Sequence, residues 1–286
     1  VALLLPQGHP SEAKLGVARA PAEERSRPPH ARIRIGIVNV MPKLEAYEPS
    51  LLAPLAHVPE LVEPVFLRLQ SHGYQSSDHA HLDRFYRSYD EASRDRPLDG
   101  LLVSGAPVEE LPFEEVHYWR ELEELLLDAR VHVKRTIGVC WGGLALGKVL
   151  GVEKRIFPQK LFGVFEDRLL EPSPGGPQSF VCAHSRHSGA IAADLESAAR
   201  AGTVRLLSRG EQSGYTTFES TDGRFFAHLG HPEYEADRLA YEWIRDRDLG
   251  RTDVQPPANF DADAPVTSWR SHRDAVFADF VRRAAS

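Results

Sequence analysis

The chain has 286 residues, 42% hydrophobic and 26% charged, an ordinary balance for a globular protein with a sizeable core. Lys and Arg number 34 against 41 Asp and Glu, a formal charge of −7, which argues against the broad basic face that nucleic acid or an anionic membrane requires. Cys140 and Cys182 are too few for a disulfide scaffold and suggest reduced thiols. The apolar start, Val1 to Pro6, is too short for a signal segment, and no apolar run approaches the ~18 residues of a membrane helix. A soluble, cytoplasmic protein is expected.

Residues 1–31, rich in Pro, Ala, Glu and Arg without periodicity, are expected to form a loosely attached arm. Arg34 to Val40 is an apolar run ending at Met41-Pro42 and predicts a buried parallel strand. A helix limited by Pro49 and Pro54 follows over Glu48 to His57, then a second strand over Leu61 to Leu69. Leu82, Phe85, Tyr86 and Tyr89 share one face of a helix over His81 to Arg94.

Leu98 to Ser104 is a strand that breaks at Gly105-Ala-Pro107, and Tyr118 to Ala129 is a helix. Thr136 to Cys140 is a short strand running into a small-residue helix, Trp141 to Leu150. The clustered prolines and glycines of Phe157 to His187 suggest sheet edge and loop. Short strands at Val204–Leu207, Tyr215–Ser220 and Arg224–Leu229 precede helices at Ala236–Asp246 and Trp269–Ala284. The alternation implies an α/β fold, a mostly parallel sheet with helices on both faces, in one domain over 32–286.

Cys140 sits where an apolar strand gives way to a helix. A sharp turn there exposes the side chain and offers the next backbone N–H to an oxyanion, while the helix N-terminus favours the thiolate. The competing role is a buried structural cysteine. A thiol nucleophile needs a base and the base an orienting carboxylate, and Gly230-His-Pro-Glu233 supplies both types, in His231 and Glu233. His228 is assigned to core or loop. None of the 13 histidines has convincing zinc spacing with the two cysteines, so no metal is expected.

Gly138-Val-Cys-Trp-Gly142 with Gly230-His-Pro-Glu233 resembles the class I glutamine amidotransferase-like architecture and its Cys-His-Glu triad. Within it, the chain resembles the homoserine O-acyltransferase family. The matching pieces run in order from Asn39-Val-Met-Pro-Lys43 through Asp99-Gly-Leu-Leu-Val-Ser-Gly-Ala-Pro107, Lys160-Leu-Phe-Gly-Val-Phe165 and His184-Ser-Arg186 to Trp269-Arg-Ser-His272.

The resemblance implies Cys140 as acyl-thioester nucleophile, His231 as proton acceptor and Glu233 as third triad member. It implies Lys160, Ser185 and Arg245 as substrate-binding residues, an amino-acid substrate for them, and Glu109 as the determinant of the acyl donor. A carboxylate at 109 resembles acetyl-CoA users, and its charge would repel the distal carboxylate of a succinyl group. The backbone N–H groups of Trp141, Gly105 and Ala106 are the expected oxyanion donors.

The implied reaction is acetyl transfer from acetyl-CoA, as co-substrate, to L-homoserine for methionine synthesis. It needs no tightly bound cofactor, nucleic acid or membrane, and the resemblance implies a homodimer. Leu44, Tyr47, Ser76-Ser77 and Gly151 depart from the family pattern and put the acceptor in question. Succinyl-CoA as donor, L-serine as acceptor, a glutamine amidotransferase-type hydrolase and a catalytically silent binding protein are the alternatives.

Overall fold

A computed structural model describes residues 3–15 and 31–286. The chain divides into two compact units. Val1–Pro107, Leu111–Ile137 and Asp274–Ser286 form the first, and Val108–Glu110 with Gly138–Arg273 the second, so the stretch 32–286 is shared between them.

The first unit carries strands β1 (Ile33–Val38), β2 (Val62–Leu67), β3 (Tyr86–Arg87), β4 (Gly100–Val103) and the start of β5 (Arg135–Val139), in the order β3-β2-β1-β4-β5. β1 pairs in parallel with β2 and β4, and β2 with β3. Continuous burial of β1, β2, β4 and β5 explains why these runs lack polar alternation. The Arg34 side chain in β1 is buried because its guanidinium donates to the Ala92 and Arg96 carbonyls and pairs with Asp95.

The segment Ser11–Lys14 forms a one-turn helix, α1, and the helix expected from Glu48 starts earlier, as α2 (Leu44–Leu55). Asn39 shapes its entry: Oδ1 accepts the Met41 N–H and Nδ2 donates to the Leu44 carbonyl. Ser76 and Ser77 accept the backbone N–H groups of Lys43 and Leu44. Two departures from the family pattern, Leu44 and Ser76-Ser77, thus take part in capping this helix.

The single helix expected over His81 to Arg94 is two, α3 (His79–Phe85) and α4 (Tyr89–Asp95), split by β3. Ser88 has extended backbone and closes a capping box with Glu91, which begins a new helix. Tyr86 is thereby drawn into pairing with Phe66, and its hydroxyl donates to Glu48 Oε1 at 2.8 Å. A helix α5 (Trp119–His132) buries Leu122, Leu125 and Leu126 as its periodicity predicts.

The described part of the arm is attached. Leu3 bridges Val62, the Leu4 N–H donates to the Val62 carbonyl at 2.8 Å, and Leu3–Leu5 are buried. His9 stacks on Phe66 at 4.6 Å and faces Glu48 Oε2 at 3.4 Å. The rest of the arm up to residue 30 lies outside the described residues.

In the second unit the order runs from the end of β5 through β10 (Phe225–His228), β9 (Gly214–Ser220), β8 (Val204–Gly210), β6 (Lys154–Leu169) and β7 (Ser179–Ala190). β6 pairs antiparallel with β7 and β8, and β9 antiparallel with β8 and β10, so the sheet is mixed. The segment Phe157 to His187, expected as edge and loop, is the long β6–β7 hairpin. Its prolines and glycines are absorbed by a register shift between Ile156 and Leu161 and by the turn around Pro172-Ser-Pro-Gly-Gly-Pro177. Helices α6 (Trp141–Val149), α7 (Ala192–Arg200), α8 (Ala236–Asp248) and the start of α9 (Arg270–Ala285) complete the unit, α7 being absent from the sequence expectations. Among the described residues no helix is long and apolar enough to cross a membrane.

Burial, aided by His81 and Lys14, lowers His9 from its ordinary 6.5 to about 4. The unfolded chain therefore takes up a proton near 6.5 that the folded chain refuses until about 4, and stability falls as pH drops through that window. Replacing His9 by Leu is expected to reduce the slope of unfolding free energy against pH there by up to about one proton. Urea titrations from pH 4 to 7.5 check this, and identical slopes would exclude His9 as the cause.

Candidate active site

Cys140 joins β5 to α6 with φ 50° and ψ −115°, a strained conformation for a residue with a Cβ. The turn closes only because Gly138 has no side chain: a Cβ there would stand 2.4 Å from the Gly142 carbonyl oxygen. The Cys140 N–H donates to the His228 carbonyl at 2.8 Å, and its carbonyl accepts the Leu144 N–H, the first bond of α6. This is the strand–turn–helix elbow expected from the sequence.

His231 follows β10 on a turn held by its own N–H, which donates to the Ala183 carbonyl in β7 at 2.8 Å. Its ring hydrogen-bonds the Cys140 thiol, and its Nδ1 lies 2.7 Å from Glu233 Oε1. Tyr234 stacks on the His231 ring at 3.9 Å. All three members of the expected triad are buried.

Burial and the Glu109 carboxylate push the Cys140 thiol up, against the pull of His231. Burial works against a charged His231, yet Cys140 and Glu233 together hold its pKa well above the ordinary value. The arrangement suits a thiol that gives up its proton to an imidazole already braced to carry it.

Glu109 is buried, accepting the His187 N–H at 2.9 Å and the Ser188 hydroxyl at 3.4 Å. Burial raises it to about 7, although His231, the His187 N–H, Arg186 and Lys160 all favour the charged form. Its neighbour Glu110 is exposed and pairs with Arg251, so the two adjacent acids occupy opposite environments.

Lys160, Ser185 and Arg245 converge through two residues not singled out in the sequence, Glu242 and Asp246. Lys160 Nζ lies 2.7 Å from Asp246 Oδ2 and 3.7 Å from Glu242 Oε2. The Ser185 hydroxyl donates to Glu242, and Arg245 Nε donates to Asp246 Oδ1 at 2.7 Å. Glu242 also accepts the Tyr234 hydroxyl and Arg238 Nε. Despite its burial, Lys160 and Arg238 hold Glu242 at about 2. A signal for them existed: carboxylates four apart on the face of α8 that also buries Ala236 and Leu239. Lys160, Arg238 and Arg245 thus gather three cations around the two carboxylates.

Trp141, the first residue of α6, is fully buried. Gly105 and Ala106 belong to the first unit, on the turn after β4, where the Ser104 hydroxyl donates to the Gly105 carbonyl and accepts the Val40 N–H.

The family model of homoserine O-succinyltransferase matches residues 6–284. A homoserine O-acetyltransferase of Petrotoga mobilis is 36% identical over 270 residues, covering 91% of this chain and 86% of that protein. The homoserine O-acetyltransferase of Bacillus licheniformis is 34% identical over 260 residues, covering 87% and 84%. A glutamine amidotransferase from Thermotoga maritima superposes with a TM-score of 0.53 at 13% identity, covering 89% of this chain and 98% of its own, a likeness of fold.

Because the elbow has no room at Gly138, Gly138→Ala is expected to lower stability by at least about 2 kcal/mol, as for other overpacked sites. Chemical denaturation measures this, and an unchanged midpoint would show that the turn relaxes freely.

Proposed function

The chain belongs to the homoserine O-succinyltransferase family and is an acyltransferase; we propose that it moves an acetyl group from acetyl-CoA to the hydroxyl of L-homoserine through a thioester on Cys140. The observation that carries this reading is the strained Cys140 turn facing a His231 ring bound to Glu233 at 2.7 Å. His231 takes the thiol proton as Sγ attacks the thioester carbonyl. The Trp141 N–H receives the oxyanion. The C–S bond to CoA breaks, and the CoA thiolate leaves with the proton from His231.

Homoserine then gives its hydroxyl proton to His231 and attacks the acyl-Cys140 carbonyl. Collapse of that intermediate releases O-acetylhomoserine and returns the proton to Sγ. Glu233 holds the imidazole tautomer and stabilises the imidazolium. The cations Lys160 and Arg245 suit the amino-acid carboxylate, and Ser185 borders the same subsite. We further place the enzyme in the cytoplasm, in methionine synthesis, as a homodimer.

The thioester is tested by intact mass after acetyl-CoA without acceptor. One added acetyl group is expected, absent in Cys140→Ala and retained in Cys182→Ala. An acetyl group on Cys182, or ammonia released from glutamine at a comparable rate, would overturn the assignment.

For the base and its partner, His231→Asn is expected to lower kcat/KM by about 10³-fold or more, and Glu233→Gln by about 10 to 10²-fold, since neighbouring packing keeps part of the orientation. Equal losses would assign Glu233 a larger role than holding the ring.

Glu109 sets the donor in this reading, and its pKa near 7 makes the preference pH-dependent. Above that value the carboxylate is charged and repels a succinyl carboxylate; below it the repulsion fades. The succinyl-to-acetyl ratio of kcat/KM is therefore expected to rise as pH falls from 8 to 6. In Glu109→Gln it should be higher and flat, and in Glu109→Gly higher by about tenfold or more, equivalent to ~1.4 kcal/mol. Glu110→Gly is the control, and a ratio equal in all four proteins would remove Glu109 from donor choice.

A further inference from the structure

Among the described residues three groups of metal-capable side chains draw together, one of them the exposed Glu110 with the half-buried His187 and Asp253; in the other two, hydrogen bonds decide against a metal centre. His9, Glu48 and His81 gather their ligand atoms within 4.8 Å, as do Cys182, His228 and His272. A neutral imidazole has one N–H, and a ring bound to metal through Nε2 keeps its proton on Nδ1. His9 Nδ1, however, accepts the Ser11 N–H at 3.3 Å, and His228 Nδ1 accepts the Gly230 N–H at 3.1 Å. Both rings therefore carry their proton on Nε2, where a metal would have to bind. For His228 that proton points at His272 Nε2, 2.9 Å away.

The second cluster has a different use. We propose that His228, oriented by His272, is a positioning residue for the acyl transfer, tying the turn of the nucleophile and the turn of the base to one strand end. This rests on the acyl-Cys140 reading. His228 is the last residue of β10, and its carbonyl accepts the Cys140 N–H at 2.8 Å. Its ring accepts the N–H of Gly230, the residue immediately before His231. One buried residue thus bonds to the backbone at the elbow and to the backbone that delivers the imidazole.

His272 keeps that ring in its tautomer by offering an unprotonated Nε2, and is itself held flat against Phe180, with centroids 3.6 Å apart and planes 2° from parallel. Space behind Gly230 is tight: a Cβ there would lie 3.0 Å from the Ala183 carbonyl and 3.2 Å from Cys182 Sγ. The turn has few alternatives once its N–H is bonded. Burial lowers the pKa of both rings, so the direction of the His228–His272 bond holds across neutral pH.

The two ends of the ring can be separated by substitution. Asn at 228 keeps an acceptor near the Nδ1 position and loses the reach to His272; Gln keeps the reach and loses the acceptor for Gly230. His228→Gln is expected to slow single-turnover acylation by acetyl-CoA, followed by intact mass, by about tenfold or more with little change in KM. It should also move the midpoint of the pH profile for iodoacetamide alkylation of Cys140 upward by about half a unit or more, because a displaced His231 no longer favours the thiolate. His228→Asn is expected to restore both to within about threefold and a few tenths of a unit.

Equal damage from Gln and Asn would overturn the proposal, as would a lowered Tm with an unaltered alkylation midpoint in His228→Gln. If that variant does not fold, His272→Leu against His272→Gln tests the tautomer lock on the His228 ring, which an Asn amide at 228 does not need. Slower acylation and a raised midpoint in Leu alone are expected, and no difference between the two refutes it. Should wild-type protein not be acylated at all, the acyl-transfer reading fails by itself. The alkylation midpoints still decide whether His228 sets the Cys140–His231 geometry.

Discussion

The constraint on which the second unit turns is the conformation of one residue. Cys140 must hold a positive φ so that β5 can end and α6 begin within a single residue, leaving its thiol beside the His231 ring. Strain of this kind persists only when its surroundings over-determine it. Here they do so through the absence of a side chain at Gly138, the bond from the Cys140 N–H to the His228 carbonyl, and the start of the α6 ladder at the Cys140 carbonyl. The elbow is thus tied to β10, the strand that leads into the His231 turn.

Around that point the protein uses one chemical group in contrasting electrostatic states. Glu109 and Glu242 are both buried glutamates, yet one titrates near 7 and the other near 2. Desolvation acts on both. Glu242 has Lys160 and Arg238 beside it and accepts hydrogen bonds from Ser185 and Tyr234. Glu109 has only a backbone N–H, a hydroxyl and more distant charges. A permanently ionised carboxylate organises the Lys160 end, and one close to neutrality sits beside the thiol. The same residue type serves as a fixed anion in one place and as a group whose charge depends on pH in another.

The sequence was legible where local physics and tertiary structure agree. The apolar run before Cys140 and the glycines around it encode a strand, a tight turn and a helix, and the structure has all three. His231 and Glu233 were readable as a pair because only one residue separates them. Prolines and glycines misled over 157–187, since a long hairpin can house them in a bulge and a turn while its cross-strand ladder supplies the order. The helix expected over 81–94 was divided by a capping box that periodicity alone does not weigh against the Tyr86–Glu48 bond. Glu242 and Asp246 left a local signal in their shared helix face, but their partners, like the pairing of His228 with His272, were out of reach for another reason. The meaning of these residues depends on partners 44 to 86 residues away in the chain, and no local pattern encodes such meetings.

The short β3 has a consequence for how the protein behaves among its neighbours. It pairs with β2 only at Phe66 and Leu67, so by itself it leaves the beginning of β2 without a partner on that side. Leu3 and Leu4 occupy that place, bridging Val62 from the opposite side to Ile33. An uncovered strand edge lined by apolar residues is a template for another chain. Leu3–Leu5 therefore act as a guard against intermolecular strand addition, and without them the molecule would lose part of its defence against aggregation.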